Sequence, residues 1–223
     1  AAYIGGAPIT SNTYSAQKYN FKASGTMAHS WIQAFPSEYE AFKTYAKSYP
    51  DNCILLIDTY DTLKSGLPNA MRVFEEELKP KGLSGGVRID SGDLAYLSKE
   101  IRKILDENGF ADAKIVASNS LDEFTIESLL SQGAKIDSFG IGERLITAKS
   151  DPVFGGVYKL VGIENNGKIE AKIKVSENVE KITTPGEKRV YRLYDLETGK
   201  AEADYIALEH EKIDSSEPLV IFD

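Results

Sequence analysis

The feature that most limits what this chain can fold into is an unbroken rhythm between about residues 52 and 142: apolar strand, polar turn, amphipathic helix. The strand segments are Cys53–Asp58, Gly86–Asp90, Lys114–Ser118 and Ser138–Ile141. Their nearly continuous apolar, β-branched character predicts strands buried on both faces. Strand–helix units in direct succession predict a parallel sheet with right-handed crossovers. Neither G-x-G-x-x-G nor a Walker A loop is present. The two commonest nucleotide-binding open sheets therefore lack their signatures, and a barrel or part-barrel is the expected form.

The helical segments carry their own boundaries. Ser37 and Glu40 form a capping-box pattern ahead of Phe42, Tyr45 and Ala46, and Ser120 with Glu123 repeats it before Phe124, Leu129 and Leu130. Gly133 supplies a stop, and Pro68 suits a first helical turn before Val73, Phe74 and Leu78. Leu94, Leu97, Ile101, Ile104 and Leu105 share one helical face that ends at Asn108-Gly109. After Gly156 the texture changes to strands at Val157–Ile163, Lys168–Val175, Lys188–Tyr194 and Ala203–Leu208. Asn165-Asn166-Gly167 and Glu197-Thr198-Gly199 read as the turns between neighbours, giving an antiparallel β-rich region over 157–223. Residues 1–156 are then the β/α part.

A net charge of -8 argues against nucleic acid or an anionic membrane as the main partner, since both call for a basic face. It leaves room for an anionic small substrate, which a few backbone N–H groups can bind. The single cysteine, Cys53, excludes an intrachain disulfide framework and reads as a small buried residue in a reducing, cytoplasmic setting. No apolar run approaches membrane-spanning length. The first residue is not methionine and the closing Leu219-Val220-Ile221-Phe222-Asp223 has a strand-like texture. A segment of a longer protein is expected.

In barrels and open α/β sheets, ligands bind beyond the carboxyl ends of the strands. The four ends here read Asp58-Thr59-Tyr60-Asp61-Thr62, Arg88-Ile89-Asp90-Ser91-Gly92-Asp93, Ala117-Ser118-Asn119 and Gly140-Ile141-Gly142. Two aspartates on successive strands, Asp58 and Asp90, suit a hard cation such as Mg²⁺, which takes one or two carboxylates plus phosphate oxygens. Arg88 offers a planar fork for a carboxylate or phosphate. The backbone at Ser118-Asn119 and from Gly140 to Gly142 suits a phosphate. Each feature has a plainer reading: strand-end aspartates cap helices, Asp93 serves a first helical turn, glycines permit turns, and Arg88 pairs with a structural carboxylate. A lone histidine such as His29 is more often structural than catalytic, and His210 among charged neighbours is a surface group. Convergence on one face favours the functional reading.

Gly25-Thr26-Met27-Ala28-His29-Ser30-Trp31 and the four strand-end motifs, followed by Gly155-Gly156-Val157-Tyr158-Lys159-Leu160, occur in an order that closely resembles the nicotinate phosphoribosyltransferase family. The resemblance runs through essentially the whole chain. It implies an irregular parallel β/α barrel of the type II phosphoribosyltransferase kind, with a β-rich region following it. It further implies that ATP, as co-substrate, phosphorylates His29. The pyridine nitrogen of nicotinate then displaces pyrophosphate from phosphoribosyl pyrophosphate, with Mg²⁺ on the leaving group, in the salvage route of NAD biosynthesis. Carried over, Arg88 contacts the nicotinate carboxylate or stacks near its ring. Asp90 holds ribose hydroxyls or the metal, and Asp58 is a second metal or pyrophosphate contact. Ser118, Asn119, Gly140 and Gly142 bind the 5′-phosphate, and Thr10 and Ser11 match a small-hydroxyl stretch near the base pocket. Glu143 departs from the family pattern, and its side chain is expected to turn away from the phosphate. The family also implies a homodimer with active sites at the interface and an upstream aromatic residue over the base. The isolated segment is therefore expected to be inactive.

Rival readings follow from the same residues. Nicotinamide or quinolinate is the alternative base, although quinolinate would need more positive charge in the pocket. A non-catalytic phosphate-binding βα domain has no evident use for His29, Asp58, Arg88 and Asp90 together. A Schiff-base lyase or aldolase would want a strand-end lysine, which none of the four ends displays.

Overall fold

The computed structural model describes residues 2–147, 158–174 and 182–211. These fall into two compact units, one of residues 2–147 with 158 and 174, the other of residues 159–173 and 182–211. The boundary expected between 156 and 157, the strand start at Val157 and the Leu219–Asp223 segment lie outside the described residues.

The first unit opens with α1 (Thr13–Tyr19), α2 (His29–Gln33) and α3 (Glu38–Ser48). Ser37 caps α3 as expected, its hydroxyl accepting from the Glu40 N–H at 3.2 Å. Four parallel strands follow: β1 (Ile54–Leu56), β2 (Gly86–Ile89), β3 (Lys114–Ala117) and β4 (Ser138–Phe139). They pair in sequence order, β1-β2-β3-β4. That order has no switch point of the doubly wound kind, so each crossover runs in the same sense, as in a barrel. Consecutive Leu55, Leu56 and Ile57 are all fully buried, so both faces of β1 are covered. Val87, Ile89, Ile115 and Ala117 continue that core across the sheet.

Helices fill the intervals. A helical run begins after Asp61, whose carboxylate accepts from the N–H groups of Leu63 and Lys64 at 3.2 and 2.9 Å. Its first turn, Thr62–Gly66, is wound as a π-helix and leads into α4 (Leu67–Val73). Pro68 therefore sits inside the run rather than opening it, because the Asp61 cap starts the helix earlier. Gly66 is required where it stands: a Cβ would lie 1.9 Å from the Ile57 carbonyl oxygen. The helix is pressed onto the end of β1 at that point. Next, α5 (Leu94–Glu107) buries Ile101 and Leu105 and is capped by Asp93, which accepts from the Tyr96 N–H at 3.0 Å. The cap of α6 (Glu123–Ser131) is Asp122, not the expected Ser120. Ser120 has a left-handed φ of 51°, away from the extended conformation of a cap residue, and the Asp122 carboxylate is the stronger acceptor. The unit's last described helix is α7 (Glu143–Ile146).

In the second unit β5 (Gly162–Asn165) and β6 (Lys168–Ala171) form one antiparallel hairpin. Asn166 and Gly167 both have positive φ, 52° and 76°, the conformation a two-residue type I′ turn demands. The other hairpin pairs β7 (Lys188–Tyr194) with β8 (Ala201–Leu208). Most of its side chains are exposed, and cross-strand partners Arg192 and Asp204 form a two-pronged ion pair at 2.8 and 2.9 Å. The strand expected over Lys168–Val175 is shorter, and β8 begins two residues earlier than expected.

Candidate active site

The carboxyl ends of β1 and β2 carry the charged residues, and α2 brings the histidine to them. His29 is the first residue of α2, and its ring lies between two aspartates. Its Nε2 is 3.8 Å from Asp58 Oδ1 and 3.8 Å from Asp90 Oδ2. Its Nδ1 is 3.0 Å from the hydroxyl of Thr59. The His29 side chain keeps 18% exposure and Asp58 only 2%, so the ring has a wet edge and a dry backing.

Asp58 is fixed by the neighbouring strand. Its Oδ2 accepts from the Asp90 N–H at 3.1 Å and from the Ser91 hydroxyl. Its Oδ1 is buried and has no hydrogen-bond partner among the described residues. An orphaned carboxylate oxygen is costly to bury, so this atom is where a proton donor or cation gains most. Asp90 accepts from the Ser118 hydroxyl through its other oxygen, which ties the ends of β2 and β3 together. Burial pushes the Asp90 carboxyl upward, but the adjacent His29 ring, the Ser118 hydrogen bond and the Arg88 charge together outweigh it and hold it below the usual carboxylate range. It is ionised at neutral pH.

Arg88 lies inside β2, with its backbone carbonyl accepting from the Ile57 N–H at 3.1 Å. One guanidinium nitrogen donates to the Thr26 hydroxyl, while Nε is buried and unpartnered among the described residues. A fixed guanidinium with a donor to spare suits a planar anion such as a carboxylate.

The ends of β3 and β4 differ. Asn119 and Ser120 both hold positive φ, 90° and 51°, which is uncommon for two successive non-glycine residues and marks a tightly specified loop. The Gly140 N–H donates to the Ala117 carbonyl at 2.8 Å, and the Gly140 Cα lies beside Ser118. Gly142 precedes α7 and has open space around it. Glu143 is exposed. The structure thus joins His29, Asp58, Asp90 and Ser118 directly, with Arg88 acting on Asp90 through its charge. Thr10 and Ser11 stand apart: Thr10 forms a bridge with Ala23 and its hydroxyl accepts from the Asn12 N–H at 3.1 Å, while Ser11 is exposed. No hydrogen bond or ion pair joins either to the His29 cluster among the described residues.

Sequence reasoning missed three of the four hydroxyls that hold this cluster, Thr26, Thr59 and Ser91. Each lies within a motif singled out above, but nothing in the sequence pairs Thr59 with a histidine 30 residues away. It also missed Glu38, buried behind the site, whose Oε2 accepts from Ser65 and Asn69 at 2.7 and 3.1 Å. Burial raises the Glu38 carboxyl, with the Asp58 and Asp61 charges adding to it and the two hydrogen bonds opposing. The described residues contain no cluster of three or more metal-ligating side chains. Asp58 and Asp90 alone make an open, two-carboxylate donor set, the kind Mg²⁺ completes with phosphate oxygens and water.

Two family models match the sequence: the nicotinate phosphoribosyltransferase family over residues 8–188, and the nicotinate phosphoribosyltransferase C-terminal domain over 187–223. The chain belongs to the nicotinate phosphoribosyltransferase family. A nicotinate phosphoribosyltransferase from Bacillus subtilis is 52% identical over 222 residues, covering 100% of this chain and 45% of the relative. A human family member is 29% identical over 267 residues. The crystal structure of human nicotinic acid phosphoribosyltransferase superposes with a TM-score of 0.56 at 26% identity, over 95% of this chain and 48% of that one. This family member therefore spans about half the length of the relatives it matches. The expected α/β architecture of the family is present in its parallel sheet and separate antiparallel hairpins.

Proposed function

We propose that this chain carries the catalytic core of a nicotinate phosphoribosyltransferase, acting within a protein of its relatives' length. The observation that carries this reading is the His29 ring held between the Thr59 hydroxyl and two strand-end carboxylates. A nitrogen of that imidazole accepts the terminal phosphoryl group of ATP: an N–P bond forms, the P–O bond to ADP breaks, and Asp58 and Asp90 stabilise the positive charge left on the ring. In the second reaction the pyridine nitrogen of nicotinate bonds to the anomeric carbon of phosphoribosyl pyrophosphate as pyrophosphate departs. Arg88, with its spare donor, orients the nicotinate carboxylate, and Asp90 faces the ribose as its carbon gains cationic character. Asp58 and Asp90 would hold a Mg²⁺ ion, which when bound would supply charge neutralisation for the departing pyrophosphate. The loop residues Ser118, Asn119, Gly140 and Gly142 take the 5′-phosphate through the N–H groups of Asn119 and Gly142, those of Ser118 and Gly140 already donating to the Ile89 and Ala117 carbonyls.

A homodimer in the cytoplasm belongs to the same proposal. The lone, buried, unpaired Cys53 fits a reducing compartment, and the dimer rests on the family resemblance alone. No helix among the described residues is long and apolar enough to cross a membrane. The Arg88 cation favours an acid over an amide at the base site, so nicotinate is placed ahead of nicotinamide.

The test uses the full-length protein with nicotinate, or nicotinamide, and phosphoribosyl pyrophosphate, with and without ATP, for wild type and His29→Ala. Expected is nicotinate mononucleotide formed faster with ATP, and loss of that stimulation in the variant. Turnover indifferent to both ATP and the substitution would remove the phosphohistidine but keep the transferase. An enzyme silent with either base would point to a retired phosphate-binding domain.

A further inference from the structure

Consecutive residues at the end of β1 address opposite nitrogens of one imidazole: Asp58 lies 3.8 Å from Nε2, and Thr59 lies 3.0 Å from Nδ1. The second distance is a hydrogen bond and the first is not. The same holds for Asp90, also at 3.8 Å. The carboxylates thus set the field around the ring, while its orientation is fixed from the Thr59 side. Thr59 is fully buried, at 0% exposure, directly after the fully buried Ile57 and the buried Asp58. A residue of this shape at a buried strand end is ordinarily valine or isoleucine, because an unpaired hydroxyl there is unfavourable. Among the described residues the Thr59 hydroxyl is bonded to His29. A hydroxyl both donates and accepts, so it can follow the imidazole through its protonation and phosphorylation states, as a fixed N–H or C=O could not.

We propose that Thr59 is a positioning residue for His29, setting the angle at which the ring meets the phosphoryl donor; the assignment rests on the phosphohistidine reading above. It is not a catalytic residue, because it acts only through the imidazole. Its methyl group packs and its hydroxyl orients, and the two roles separate by substitution. Valine keeps the shape and removes the hydroxyl. Serine keeps the hydroxyl and removes the methyl.

The experiment measures acid-labile phosphate transferred from γ-labelled ATP to the full-length protein, for wild type, His29→Ala, Thr59→Val and Thr59→Ser, alongside thermal midpoints. Positioning predicts that the initial labelling rate falls about tenfold in Thr59→Val and that Thr59→Ser recovers most of it despite its lost methyl. A packing role predicts the reverse order: Thr59→Val labels and melts like wild type, Thr59→Ser is the weaker, and the proposal fails. Equal labelling in all three Thr59 forms also overturns it. Wild type that takes no label, or His29→Ala that labels as well as wild type, brings down the phosphohistidine reading itself, and the Thr59 role with it. These arms are separate, so a failure of either reading is recognisable.

Discussion

The row of strand ends divides into two halves of different construction. At β1 and β2 the chemistry sits in side chains: His29, Asp58, Arg88 and Asp90 are held by hydroxyls from Thr59, Ser91, Ser118 and Thr26. At β3 and β4 it sits in the backbone, with positive φ at Asn119 and Ser120, Gly140 against Ser118 and open space around Gly142. Under the proposed function the contrast follows from what each half would meet. A reacting atom demands charged groups fixed in a dry setting, where electrostatics are strong and each polar atom must be satisfied. A solvated phosphate needs only several N–H donors on a loop that no side chain obstructs.

The largest loss is expected at the charged end. Asp90→Ala in the full-length protein should reduce turnover by about 10²–10³-fold, as removal of a preorganised electrostatic group does. A loss under tenfold in steady-state assays would place the decisive charge elsewhere. The next largest effect tests how rigidly that end is seated. Gly66→Ala puts a methyl 1.9 Å from the Ile57 carbonyl oxygen, directly before Asp58. It should cost about 3 kcal/mol in denaturant unfolding. A neutral result would mean that the turn on which Asp58 and Thr59 depend yields readily. The smallest effect sharpens the other half. Gly142→Ala meets nothing within 4 Å, but its φ of -126° and ψ of -101° lie outside the regions that other residues favour. Stability should fall by about 1 kcal/mol in the same unfolding experiment, the cost of that backbone conformation alone. A larger loss would show the β4 end to be packed rather than open.

Local signals in the sequence survived where the outcome depends on near neighbours. Ser37 and Asp93 cap their helices, and Asn166-Gly167 makes the tight turn, because each interaction closes within three residues. They failed where two local solutions competed. Ser120 and Asp122 both resemble caps, and the left-handed backbone that Asn119 and Ser120 adopt removes Ser120 from the contest. Pro68 reads as a helix start until Asp61, one strand end away, begins the helix ahead of it.

By itself the sequence determined the parallel β/α rhythm, its buried strands, the antiparallel hairpins and the alignment of polar motifs at strand ends. Periodicity and turn chemistry are short-range properties, and burial follows from them. Only the tertiary structure decided which polar atoms meet: Asp58 with the Asp90 N–H, Ser118 with Asp90, Thr59 with His29. Those partners lie 32, 28 and 30 residues apart. Their pairing depends on parallel register and on the seating of α2 over the β1 end, which no local window of sequence contains.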